Sequence, residues 1–329
     1  MRDIDHVQLL SGQALTLAGN PTNLGQNFPM GRGWYATRLR FKFVVTETLA
    51  TGPIAGGAIG IIKSIFIKTD KNEILCNCNG KALQLFNQKE YGTMPQVDTV
   101  VDGGGTFYVN LTIPHARWKR GKGVDTILDT ARYKSISLQI TLGTVADLFT
   151  TVGDAAVVAS MDAEAIVSMG ILPAKAQPLL YRSFYTLPPV LAAAGFVEVD
   201  RARDLAISNI ITHQGYSAGG AGLVAHSAGV AFTGDGVNSI VNDFDLKDQD
   251  KFYTQSRILE FAQSDNKDDW SLEAIQTGIC HVPIDRDGSV FASLYTGNKS
   301  QLRFQYRTKA GFPAGQISVA LDAVRQLVR

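Results

Sequence analysis

The pentapeptide GYSAG at 215–219 matches the G-x-S-x-G pattern, in which a serine, here Ser217, acts as an acyl-transfer nucleophile. Asp243 or Asp245 and then His281 follow in the order Ser, Asp, His that such a triad can take. The chemistry requires more than the order. The serine must top a strained strand-to-helix turn above a parallel sheet, and backbone N–H groups must face the oxyanion. Here Ser217 runs into a Gly- and Ala-rich stretch that forms helix poorly, and no HGGG-type loop precedes it. With 32 glycines in 329 residues a match arises readily by chance, and the segment reads as a surface insertion.

The other candidate chemistries fail on position as well. NDFDLKDQD at 242–250 has the acid density of a calcium loop. Lys247 falls where an oxygen ligand is required, and no Glu closes the loop. GRGWYA at 31–36 fits a dinucleotide-binding glycine pattern but precedes a strand instead of opening a helix. His6, His115, His213, His226 and His281 have no metal-ligand spacing, and Cys76, Cys78 and Cys280 form neither a disulfide framework nor a zinc signature. Cys76 and Cys78 lie two apart and so face one side of a strand, as small buried hydrophobes. Arg117, Trp118, Lys119, Arg120 and Lys122 make a basic cluster with an aromatic in it. They are the candidate contacts to a neighbouring subunit or to lipid headgroups, with a solvated loop tip as the plainer alternative. No constellation carries catalysis. The chain is expected not to be an enzyme and to need no cofactor or metal.

The elements that hold these residues say more than the motifs do. The second half of the chain repeats the plan of the first. The first half runs RLRFKFVVT (38–46), GIIKSIFIK (60–68), a short helix KALQLFNQ (81–88), FYVNLTIP (107–114), the charged loop ARWKRGKG (116–123), SISLQITLG (135–143) and EAIVSMGIL (164–172). The second runs FVEVD (196–200), LAISNIIT (205–212), a helix over 249–264, ICHVPI (279–284), QLRFQYRT (301–308) and QISVALD (316–322). A repeat of this length indicates two domains and not a solenoid.

Leu39, Phe41 and Phe43 alternate with Arg38, Arg40 and Lys42; Ile136, Leu138 and Ile140 alternate with Ser135, Ser137 and Gln139. Leu302 and Phe304 alternate with Gln301 and Arg303, and Ile317 belongs to the last apolar strand. Period two with one polar face specifies antiparallel sheets covered on one side.

The chain is 45% hydrophobic and 19% charged, with 31 Lys and Arg against 30 Asp and Glu, net +1. A balance this even argues against a domain built to coat nucleic acid. The low charge fraction suits surface that is covered in an assembly. The N-terminal stretch MRDIDHVQLLSG has no apolar leader, and no apolar run approaches the roughly 18–20 residues of a membrane span. Residues 1–33 read as an extended arm, 34–174 as a first sandwich, 175–183 as a Pro-containing linker and 184–329 as a second sandwich. Within the second, 214–236 reads as a long Gly-, Ala- and Ser-rich loop.

Two consecutive alternating-strand sandwiches with helical insertions, and stretches such as YATRLRFKF, TFYVNLTIP and SISLQITLGT, resemble the double jelly-roll major capsid proteins of tailless icosahedral, often membrane-containing bacteriophages. The resemblance covers 34–329. It implies an all-β fold of two eight-stranded jelly rolls with short helical insertions. It also implies trimeric pseudo-hexameric capsomers that tile an icosahedral shell. The partners it implies are further copies of the chain, minor capsid or vertex proteins and an internal lipid membrane, with no sequence-specific nucleic acid. The location it implies is the virion, after synthesis in the host cytoplasm. Two other classes stay open on sequence: a serine hydrolase using Ser217, and a non-viral carbohydrate-binding double sandwich, which would present exposed aromatics as a flat platform.

Overall fold

A computed structural model describes residues 4–187, apart from 25–27, 29–30, 47–48, 50, 55, 93–94, 118–125, 169 and 171–179. Beyond them it describes 190–191, 197–200, 206–217, 223–225, 279–283, 293–295, 303–306 and 315–326. Packing divides the chain into Met1–Tyr185 with Val324–Arg329, and Thr186–Ala323.

The first unit contains β1 (Ile4–Leu15), β2 (Pro21–Leu24), β3 (Gly33–Thr46), β4 (Thr51–Pro53), α1 (Gly57–Gly60), β5 (Ile62–Thr69) and β6 (Ile74–Cys78). It continues with α2 (Gly80–Tyr91), β7 (Gly105–Pro114), β8 (Leu128–Asp129), β9 (Ile136–Leu142), β10 (Phe149–Thr151), β11 (Ala156–Ser168) and β12 (Leu180–Thr186). One sheet has the order β1-β11-β3-β7, with β8 also on β3; the other runs β12-β6-β5-β9-β2. Within the segment expected to be an arm, Ile4–Leu15 pairs with β11 and Pro21–Leu24 with β9. Residues 180–183, within the expected linker, are strand.

The alternation does the positioning. Along β3, Leu39, Phe41 and Phe43 are buried while Arg38, Arg40 and Lys42 are exposed. Ile136, Leu138 and Ile140 of β9 are buried in the same phase. Each sheet thus has one apolar face, and Ile65, Ile67, Val109 and Leu111 complete it from β5 and β7. Cys76 and Cys78 are both buried on one side of β6. Burial and the adjacent Cys78 hold the Cys76 thiol well above its ordinary value, so it is an inert protonated thiol. The pairings of β3 with β7 and β11, and of β5 with β6 and β9, are antiparallel as the alternation requires. β12 departs from this rule: Phe184 lies opposite Cys76 in a parallel pair with β6.

Helix α2 forms where KALQLFNQ predicts it. The Asn79 side chain caps it by accepting from the Ala82 N–H at 2.8 Å, and Gly92, at φ 70°, ends it in the left-handed conformation. Its Phe86 and Glu90, one turn apart, grip alternate residues of β12. Phe86 packs on Phe184 with ring centroids 4.8 Å apart, and Glu90 Oε2 accepts from Arg182 at 2.8 Å. That ion pair is buried, with 3% of the Arg182 side chain and 7% of the Glu90 side chain exposed.

The second unit contains β13 (Val190–Leu191), β14 (Val197–Asp200), β15 (Ala206–Ser217), β16 (Leu223–Ala225), β17 (Ile279–Pro283), β18 (Leu294–Tyr295), β19 (Arg303–Tyr306) and β20 (Gly315–Gln326), whose end from Val324 groups with the first unit. β15 is its hub, pairing antiparallel with β16, β17 and β18. Buried Asn209 donates to Asp322 at 3.0 Å, among Ile207, Ile210, Ile211, Val319 and Leu321. Phe304 and Ile317 fall on β19 and β20; Leu302 and the helix expected over 249–264 lie outside the described residues.

Two substitutions test this packing. Phe41→Ala removes a fully buried ring and is expected to cost about 3–5 kcal/mol, whereas Arg40→Ala costs under about 1 kcal/mol. Glu90→Gln removes the negative charge opposite a buried guanidinium and is expected to cost about 3–5 kcal/mol, most of it recovered in the Glu90→Leu/Arg182→Met double variant. Denaturant unfolding of the variants measures both. An equal cost for Phe41→Ala and Arg40→Ala would show the strand phase to be wrong.

Candidate functional surface

Ser217 is placed by backbone pairing. Gly215, Tyr216 and Ser217 lie opposite Ala225, Val224 and Leu223, so the chain returns as an antiparallel strand. A nucleophile elbow needs a helix after the serine and a parallel sheet beneath it; this hairpin offers neither. The long loop expected over 214–236 therefore contains a strand pair, which its Gly, Ala and Ser composition conceals. Of the supposed triad partners, His281 sits on β17 opposite Ile211, and Asp243 and Asp245 lie outside the described residues. No group of three or more His, Cys, Asp or Glu among the described residues is arranged to hold a metal ion. No helix among them is long and apolar enough to cross a membrane.

The basic cluster is divided. Arg117 is described and buried, next to Ala116 and His115, whose N–H groups both donate to the Tyr35 carbonyl at 2.9 Å. Trp118, Lys119, Arg120 and Lys122 lie outside the described residues. His115 is wholly buried, its Nε2 2.9 Å from the Thr37 hydroxyl. Burial, and secondarily the positive charge of Arg182, push its pKa from 6.5 down to about 3. It is neutral at any physiological pH and serves packing.

The structure places its accessible polar groups elsewhere, on the outer face of the β1-β11-β3-β7 sheet. Strand register sets Arg38 opposite Glu164 and Arg40 opposite Asp162, flanked by Thr112 and Asn110 of β7. Arg38 donates to Glu164 at 2.8 Å, and the Arg40 guanidinium stacks 4.4 Å from the Tyr108 ring centroid. These rows floor a groove of about 1050 Å³. Asn87 and Tyr91 of α2 wall one side, and His6, Gln8, Leu10 and Ser11 of β1 the other. Asn87 is fixed there by a two-way hydrogen bond with the Thr112 backbone. The Arg38 guanidinium holds the Glu164 carboxyl below its ordinary 4.5, and His6, 3.5 Å away, acts in the same direction. Motif reading misses this face because no residue on it belongs to a motif. The signal available was the polar half of the β3 alternation, Arg38, Arg40 and Lys42.

This polar sheet face lines its groove with charged and hydrogen-bonding groups, and among the described residues it holds no cluster of three or more His, Cys, Asp or Glu arranged for a metal ion. No protein-family model matches the chain, and no curated protein matches its sequence. Solved structures do match, over both units. The major capsid protein of STIV, Sulfolobus turreted icosahedral virus, superposes with TM-score 0.69 at 13% identity, covering 98% of this chain and 97% of that one. The chain has the double jelly-roll fold of viral major capsid proteins. The major capsid protein P2 of bacteriophage PM2 matches with TM-score 0.58 at 13% identity over 99% of each chain. The PBCV-1 virus capsid structure matches with TM-score 0.64 at 10% identity, covering 98% and 93%. The resemblance read from the strand repeat thus holds at the level of fold.

The buried histidine and the surface carboxylate predict a pH dependence in two windows. Unfolded His115 takes up a proton below about 6.5, while the folded form resists until about 3, so stability falls as pH drops through that range. Glu164, with its pKa lowered, contributes stability above 4.5 that is lost only as pH falls below it. His115→Gln is therefore expected to lose less Tm than the parent between pH 6.5 and 4.5, and Glu164→Gln to differ from it mainly above 4.5. Thermal melts across this range check both. An unchanged loss in His115→Gln would refute the first.

Proposed function

We propose that this chain is a major capsid protein, a non-enzymatic building block whose copies assemble as trimeric pseudo-hexameric capsomers in an icosahedral virion shell. The observation that carries the reading is the end-to-end match of both units to viral capsid proteins, 98% of this chain against 97% of the STIV protein. A fold shared over a single sandwich would be weak support, because jelly rolls host many functions. A tandem pair of matched length is a narrower architecture. The even charge balance supports it, since near-zero net charge leaves little repulsion between packed copies.

In this reading the two jelly rolls correspond to 34–174 and 184–329, and Trp118, Lys119, Arg120 and Lys122 contact a lattice neighbour or lipid headgroups. Minor vertex proteins and an internal membrane are the further partners it calls for. The hydrolase alternative loses its support with the hairpin at Ser217. The carbohydrate-binding alternative needs a flat aromatic platform, and of the exposed large hydrophobic side chains among the described residues Tyr91 is the single aromatic.

Light scattering and native mass measurement test the proposal. Three copies of the 35.5 kDa chain give about 106 kDa, and that trimer is the expected stable unit. A monodisperse monomer at micromolar concentration, with no particles formed on expression, would sink it. Ser217→Ala is expected to leave folding and assembly unchanged; an ester-hydrolase activity abolished by that substitution would restore the enzyme reading.

A further inference from the structure

Strand β1 is the loosest part of a well-packed sheet. Of its twelve residues only Leu15 is buried. Among the described strands it lies at the edge of the sheet, paired to β11. Its register slips twice, between Gln8 and Leu10 and between Leu10 and Gln13, around Gly12 at φ 56°. The strand beneath it is the opposite. β11 is held by β3 through an almost unbroken ladder from Ala156 to Val167, and its Ala159, Met161, Ala163, Ala165 and Val167 are all buried. The far edge of the sheet is closed differently. The Asp98 N–H donates to the Tyr108 carbonyl and the Asn110 N–H to the Gln96 carbonyl, both at 2.9 Å, so residues 96–98 cover β7.

Three side-chain contacts supplement the β1 ladder. Arg32 donates to Asp5 at 3.1 Å, His6 lies 3.5 Å from Glu164, and Asp162 accepts from the Gly12 N–H at 2.7 Å. In each, one group belongs to β1 and the complementary group stays with the body of the unit. Glu164 keeps its Arg38 partner without β1. The base of β1 is pinned by the Ala18 and Gly19 N–H groups, which donate to the Gly143 and Leu142 carbonyls at 2.9 and 2.8 Å. The Thr16 N–H also donates to the Thr22 hydroxyl at 2.9 Å, so a swing about 15–16 would free the strand and leave the rest in place.

We propose that β1 is exchanged between copies of this chain: the β11 edge of one copy takes the β1 of a second. The argument is complementarity. A second copy's β1 brings the same Asp5, His6 and Gly12 to the same Arg32, Glu164 and Asp162, so each interaction broken on release forms again. Exchange of an identical element costs little once copies are close, and packing in an assembly raises their effective concentration. Twelve residues at about 3.3 Å each give a reach of about 40 Å. The inference rests on the self-association proposed above and adds the element that would link the copies.

The test uses full-length chains with single cysteines at directly opposed positions, Ala14→Cys in one and Ser160→Cys in the other, carrying different tags. A second pair, Gln8→Cys and Glu164→Cys, lies farther from the hinge. The chains are co-expressed, assembled, oxidised and run on non-reducing gels. The expected result is a disulfide-linked species containing both tags, absent when either variant is expressed alone. A chain carrying both cysteines serves as the control for competence and should form the link whether or not strands exchange. If that control closes within one chain while co-assembled single variants give no mixed-tag species, exchange is overturned. Native mass on the same samples separates the two claims: oligomers without the mixed link retire the exchange alone, and monomers without it retire both.

Discussion

The pairing of β3 with β11 is the constraint on which the first unit depends. It joins residues 34–46 to 156–167 across more than a third of the chain, with one register irregularity, between Ile166 and Val167. That register decides what each face presents. It puts Phe41 beside Met161 and Leu39 beside Ala163 on the core side, and Arg40 beside Asp162 and Arg38 beside Glu164 on the outer side. A slip of one residue would reverse both faces at once. The hydrophobic side sets the register, and the charged rows of the groove follow from it.

Several of the polar groups buried inside the unit are tolerated because they have a specific neighbour. Arg182 and Glu90 are expensive to bury singly, and they secure β12 to α2 as a pair. The Tyr133 hydroxyl donates to buried Glu73, and the Arg325 guanidinium, near the chain's end, lies 5.9 Å from the Tyr185 ring centroid. A purely apolar core would be indifferent to which strand filled the place beside β6. The contacts of Arg182 and Tyr185 favour β12 there.

What was legible in the sequence follows from the same physics. β3, β7 and β9 announce themselves because one face is wet and the other dry, so the alternation is written in residue types. The helix at KALQLFNQ was legible too, while its caps, Asn79 and Gly92, came from the structure. β1 was readable only as extended, because a strand that buries one residue in twelve has little reason to alternate. The strand nature of 180–183 was hidden for the opposite reason. Leu180 to Thr186 is buried on both faces at several positions, with an arginine among them, and its partner Glu90 lies on a helix that the local pattern does not mention. For the candidate site, the motif at Ser217 was misleading and its rejection came from context. The outer face of the sheet was visible only as the polar half of an amphipathic strand.

The position of β1 also matters during synthesis. It leaves the ribosome well before its partner, and Gly12 meets Asp162 only after another 150 residues have been added. At about 5–20 residues per second, the strand stays without its partner for roughly 8–30 seconds. Neighbouring nascent chains on one message pass through the same interval side by side. In the proposed exchange, this interval gives the β1 of one nascent chain access to the β11 edge of another that is further along.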